Sequence, residues 1–274
     1  MLMKKLLLYA LLVFTTLTSC ERDPVLQQPV SQTSSQAQME LVVLGKQGNA
    51  DFFLNTPILM PDSSRMRFDE LKLYLSDIEL QNTSGTWVPV KEYWLADFRR
   101  GHSTGKTQHG KGERITITLP EGNYHTVRYC VGLPYRINRT DPTPLAPNHP
   151  LSIYQGMYWD WNSGYRFFLL EGMMDTTRTG AGIPDHYFAY HLGLDTLYFC
   201  NTAEFPAIQV KSPTRAGELA IPALDFELDV IKVFYGSIDT VRTQLEPITH
   251  TSGNFPLALR MNENLKKAWR VIPE

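Results

Sequence analysis

The sequence predicts an all-β fold: a Greek-key β-sandwich or partly closed barrel of about ten strands, with a short C-terminal helix. Three observations predict it. Apolar residues recur with period two, as at Leu71, Leu73 and Leu75, along 114–119 and along 225–234, and that period puts alternate side chains on one face of a strand. Turn chemistry from 18 Gly and 18 Pro interrupts these runs at short intervals. No internal repeat and no shift of composition marks a second domain in the 274 residues. The expected organisation is a lipoprotein signal peptide at 1–20, a flexible tether at 21–38 and a single β domain at 39–274.

The elements follow in order. Met3, Lys4 and Lys5 open a short basic region, and Leu6 to Leu17 is an apolar run of signal-peptide length, too short for a comfortable membrane span. It ends in Leu17-Thr18-Ser19-Cys20, which matches the bacterial lipobox: small residues fit a signal peptidase, and the Cys20 thiol takes a diacylglycerol. A plain secretory signal is the alternative. The expected location is the bacterial cell envelope, with the protein lipid-anchored to a membrane at the periplasmic face or cell surface. Residues 21–38 are rich in Gln, Ser and Pro and read as tether.

Met39 to Leu44 reads as the first strand. Phe68 to Leu80 alternates but slips at Ser76-Asp77, which predicts a bulge or bend. Thr86 to Val90 and Tyr93 to Phe98 read as two further strands. Arg114–Leu119, the turn Pro120-Glu121-Gly122-Asn123 and Tyr124–Leu133 read as a hairpin. Residues 136–155 carry four prolines, which cannot donate to a ladder, so this connection belongs on the surface. It leads into GMYWDWNSGYRFFLLEG at 156–172. There Trp159 and Trp161 share a face if the strand is extended. His186 to Leu192, Tyr198 to Cys200, Ala207 to Val210 and Asp225 to Phe234 read as strands, and Leu259 to Trp269 as the helix.

Composition excludes some functions. A net charge of −2 with no basic run argues against nucleic acid. Gly101 to Thr107 superficially resembles a phosphate loop, but three residues rather than four separate its glycines, so nucleotide binding is rejected. Paired carboxylates (Asp69/Glu70; Asp225, Glu227, Asp229) alternate with apolar residues and read as solvated strand faces. There is no nucleophile elbow, and no enzyme is expected. Cys130 and Cys200 lie in strand-like runs; an exported protein permits a disulfide between them, and two buried free thiols are the alternative. Seven histidines are scattered (102, 109, 125, 149, 186, 191 and 250). The nearest pair, His186 and His191, points to opposite strand faces. Imidazole donors in an exported protein favour copper over magnesium or calcium.

Several stretches together resemble the MbnP family. The block Gly156-Met157-Tyr158-Trp159-Asp160-Trp161-Asn162-Ser163-Gly164-Tyr165 resembles its signature. Tyr190-His191-Leu192-Gly193 is similar to its aromatic-x-His-Leu-Gly element. FDELKLYLSDIEL at 68–80, and Pro120 to Tyr124 followed by Val131-Gly132-Leu133, resemble its early strand and hairpin. The likeness runs over about Met39 to Gly236. It implies an all-β, exported, copper-associated protein, named for a member associated with methanobactin, a copper-chelating peptide. Some members carry a kynurenine made from tryptophan that joins histidines at copper, with a dihaem cytochrome c peroxidase-like enzyme as oxidising partner. The resemblance makes Trp159 the first candidate for modification, Trp161 the second, and His191 the matching histidine. Tyr158, Asp160, Tyr165 and His186 are the expected surrounding surface. The chain departs from the family by having no histidine at 39–54 or in its final residues. The rival readings are a metal-free module that grips a ligand or protein with Trp159 and Trp161, and a protein whose function is to be oxidised.

Overall fold

The structure is a computed structural model that describes residues 35–100, 110–212, 221–236 and 240–274. The expected signal peptide, Cys20 and nearly all of the expected tether lie outside the described residues, as do His102 and His109. Among the described residues, fourteen strands run in chain order: β1 (Gln36–Gln47), β2 (Ala50–Asp51), β3 (Ile58–Leu59), β4 (Arg65–Asn82), β5 (Trp87–Asp97), β6 (Gly112–Pro120), β7 (Gly122–Val131), β8 (Tyr158–Asp160), β9 (Gly164–Met174), β10 (His186–Gly193), β11 (Phe199–Val210), β12 (Ala223–Asp229), β13 (Ile248–His250) and β14 (Trp269–Pro273). Three short helices join them: α1 (Tyr135–Asn138), α2 (Val230–Phe234) and α3 (Phe255–Lys266).

The strands form two stacked sheets, a sandwich and not a closed barrel. One is five-stranded, ordered β14-β12-β1-β2 with β6 also on β1. The other is nine-stranded, ordered β11-β7-β4-β9-β10-β13, with β3 and β5 on β4 and β8 on β9. The core between them is apolar from both sides: Leu41, Val43 and Phe226 face Phe68, Leu73 and Leu75 in one cluster. Tyr129 meets Phe226 edge-on across the gap at 5.0 Å.

β4 is the backbone of the larger sheet. Its inward residues are Met66, Phe68, Leu71, Leu73, Leu75, Ile78 and Leu80, all 1% exposed or less. The slip at Ser76-Asp77 is a β-bulge: the register shifts between Ser76 and Glu79 opposite β7, and Asp77 has φ 46°. The extra residue lets Ile78 return to the core. On one edge β4 pairs with β5; on the other it pairs first with β9 and then with β7, so the sheet forks near Tyr74.

Several elements depart from the sequence reading. β1 begins at Gln36, inside the stretch assigned to the tether. Residues 87–97 are one strand, not two. β6 and β7 are not a hairpin: β6 pairs with β1, whereas β7 pairs with β4 and β11. The single residue Glu121 carries the chain from one sheet to the other, so the turn signal marks a corner of the sandwich. Val230 to Phe234 is helical because the Asp229 carboxylate accepts from the Ile231 amide at 3.1 Å and caps a turn. The tail helix ends at Lys266, and Trp269 starts an edge strand. The carboxylates of β12 are not solvated. Asp225 and Glu227 are 2% and 7% exposed, and Glu227 pairs with Lys46 at 3.3 Å and Arg270 at 2.6 Å.

The proline-rich connection does lie on the outside of the larger sheet, but it builds a second core there. Leu151 and Met157 pack with Tyr74, Tyr165 and Phe167. The buried Lys72 pins it, donating to the Gln155 carbonyl at 2.7 Å and pairing with Glu70 at 2.7 Å. Beside this ion cluster, Glu113 accepts from the Asp97 amide at 2.6 Å, and burial pushes its carboxyl up from 4.5 to about 7. The folded state therefore holds this proton more tightly than the unfolded chain. Its contribution to stability is complete below 4.5 and is lost as pH rises through 7. Glu113→Gln should flatten that part of the stability–pH profile, read as urea midpoints across the range; an unchanged slope would show that Glu113 is not the titrating group.

Candidate metal centre

Gly156 ends the proline-rich connection, and β8 and β9 then form a tight hairpin. Asp160 makes the turn: its Oδ1 accepts from the amides of Asn162 and Ser163, both at 2.8 Å. Gly164 follows at φ +75°, where an added Cβ would meet Asn138 Oδ1 at 2.3 Å. Asn138 earns that closeness: fully buried, it accepts from the Tyr165 amide at 2.8 Å and donates to Asp195 at 2.8 Å. The hairpin is thereby fixed to α1.

β8 is only three residues long, so the extended geometry that would align the two indoles is lost at the turn. Trp161 is 66% exposed and stands edge-on to Tyr158 at 6.1 Å. Trp159 is half-buried and turns the other way, toward the end of β10. Its ring lies 6.1 Å from that of His191 and 6.4 Å from that of His250. The Arg166 guanidinium covers it at 5.1 Å, a cation–π contact. Gly193 makes room: a Cβ there would come within 3.1 Å of the Trp159 ring and 2.8 Å of the Tyr165 carbonyl.

His250 is the residue that sequence reasoning passed over. β13 pairs parallel to β10 with His191 opposite His250. The Nδ1 atoms of the two imidazoles are 2.9 Å apart. Thr251, at φ 54°, locks the strands just past them: its hydroxyl accepts from the Gly193 amide at 3.0 Å and donates to the His191 carbonyl at 2.7 Å. The only sequence signal was a histidine ending a three-residue strand, which has no period to read.

His191 is 6% exposed. Its Nε2 lies 2.6 Å from a Glu171 carboxylate oxygen, which accepts the Nε2 proton. The Nδ1 lone pair then faces His250 and accepts from its Nδ1–H at 2.9 Å. Burial lowers the pKa of His191 below 6.5, against the raising effect of Glu171, so the ring is neutral at neutral pH. This is the arrangement in which a histidine serves as a metal ligand, with its second nitrogen held by a carboxylate. A cavity of about 130 Å³, lined by Trp159, Asp160, Leu194, His250 and Thr251 among others, opens beside the pair. It is well below the size of ordinary small-molecule sites.

The other expected site residues fall elsewhere. Tyr165 is fully buried and donates to the carbonyls of Leu151 (2.9 Å) and Thr140 (3.1 Å), so it is core and not binding surface. His186 is exposed beside Asp185, on the opposite face from His191. Asp160 serves the turn. Among the described residues no group of three or more His, Cys, Asp or Glu is arranged to hold one metal ion. The two imidazoles are a pair, and an intact indole adds no lone pair.

Fold and site together define a two-sheet β-sandwich with a facing histidine pair under a half-buried tryptophan. The family profile described as MbnP matches residues 36–251, and the chain belongs to the MbnP family. That match ends one residue beyond His250. Among solved structures, MbnP from Methylosinus trichosporium is similar at 15% identity, over 75% of this chain and 80% of that one, with a TM-score of 0.46. No curated protein matches the sequence.

Proposed function

We propose that this protein is a lipid-anchored envelope protein that binds copper non-catalytically at His191 and His250, with Trp159 as the position open to oxidative modification. The observation that carries the reading is the convergence of two Nδ1 atoms at 2.9 Å beside the Trp159 ring. The donor chemistry fits: few nitrogen donors, held rigid on paired strands, suit copper better than hard cations that need six or more oxygens. Opening the Trp159 indole to kynurenine would turn a side chain without a lone pair into an aryl amine, a third nitrogen donor in the same place. A dihaem cytochrome c peroxidase-like enzyme is the partner that the family resemblance implies for that oxidation. The exposed Trp161 is not needed for the copper reading.

The test is the copper content of protein purified from a copper-replete host, with the mass of the peptide spanning 156–172. Stoichiometric copper and a mass for kynurenine at Trp159 are the expected results. Copper with intact Trp159 would retain the histidine pair and reject the modification. Absence of copper would reject the metal reading and leave a metal-free module that binds through Trp161 and its neighbours.

A further inference from the structure

A second cleft, of about 790 Å³, lies on the outer face of β4, β5, β7 and β11, and both Cys130 and Cys200 line it. They form a disulfide between directly opposed residues of β7 and β11. The two ends differ: Cys130 is 3% exposed, whereas Cys200 is exposed. Thiol–disulfide exchange depends on which sulfur an attacking thiolate can reach, and here it is Cys200. The two strands are also joined by their own ladder on both sides of the sulfurs, from Phe199↔Val131 to Val210↔Gly122. Opening the bond therefore leaves the thiols opposed and able to close again.

The rest of the wall combines apolar residues, Pro89 and Val90 among them, with charged and hydroxyl groups. The bulge in β4 turns the Asp77 carboxylate into the cleft, where it accepts from the Tyr198 hydroxyl at 2.8 Å. Burial pushes the Tyr198 phenol up to about 12, so it remains a donor. Across from Asp77, β5 offers Lys91, which is exposed and pairs in register with Ile78. Arg136 at the rim is engaged by Glu92 at 2.6 Å. The cleft thus presents both an anion and a cation in the same walls as the open sulfur.

We propose that Cys130–Cys200 is an exchange site for a small zwitterionic thiol. The thiolate attacks Cys200 Sγ; a new S–S bond forms there, and Cys130 leaves as a thiolate that takes a proton from water. A second thiol attacks the small-molecule sulfur of the mixed disulfide and frees Cys200. Two thiols are oxidised to one disulfide, and the protein disulfide is reduced by the same two electrons.

The experiment treats the native, oxidised protein with glutathione, quenches with acid, alkylates and maps the peptides. Glutathione should be found on Cys200 with Cys130 free, and far-UV circular dichroism should be unchanged. Reaction only in denaturant, or equal modification of both cysteines, would overturn the proposal. Lys91→Ala with Asp77→Asn should slow glutathione about threefold or more relative to uncharged 2-mercaptoethanol, on the scale of losing surface charge contacts. An unchanged ratio would overturn the zwitterion assignment. Cys130→Ser and Cys200→Ser give a second reading, since the remaining Cys200 should react with oxidised glutathione about tenfold faster than the remaining Cys130.

Discussion

His250→Ala is expected to lower copper affinity by about 100-fold or more while the protein stays folded, because one of two imidazole donors is removed from an exposed position. Glu171→Gln is expected to cost less, about 10–100-fold, since it leaves both ligands and disturbs only the tautomer and aim of His191. Competition against a copper chelator, with circular dichroism on each variant, separates the cases. Copper retained in His250→Ala would place the site elsewhere. Equal loss in both variants, without unfolding, would mean that the His191 tautomer matters as much as a donor.

Phe68→Ala is expected to be the most damaging single truncation of the core. Phe68 is fully buried and meets Phe52 at 5.4 Å, Phe188 at 5.5 Å and Phe234 at 5.9 Å. Losing such a ring costs about 3–5 kcal/mol, which in a domain of this size lowers Tm by roughly 6–20 °C. Leu59→Ala, at a side chain 59% exposed, should stay within about 0.5 kcal/mol. Thermal unfolding of the two variants side by side is the check. Similar shifts would contradict the placement of the core between the two sheets.

The fold class was legible because β4 turns alternate residues, Leu71, Leu73 and Leu75, toward one core, and that alternation writes itself into sequence as period two. The bulge at Asp77 was legible for the same reason, as a break in that period. What failed was pairing. Pro120-Glu121-Gly122 has the composition of a hairpin turn, but composition does not say whether the next strand returns to the same sheet. Val230 to Phe234 kept its apolar residues while changing period, and only the Asp229 cap marks the switch. At the site, Trp159, His191 and Gly193 sit in recognisable stretches. His250 comes from a strand three residues long, placed by parallel pairing with β10, and no local pattern encodes that. Trp161 does not share a face with Trp159 because the strand ends one residue too soon to align the indoles.

The histidine pair also bears on the order of events during assembly. Its members are 59 residues apart in the chain, and they meet only through the pairing of β10 with β13. The chain between them makes β11 and β12, which belong to opposite sheets. The two imidazoles become neighbours only once β13 has docked on β10, a non-local pairing that forms late relative to local contacts. On the proposed copper reading, the expected order is therefore folding first and loading second, with the metal reporting on a finished sandwich, unlike small domains that fold around their ion.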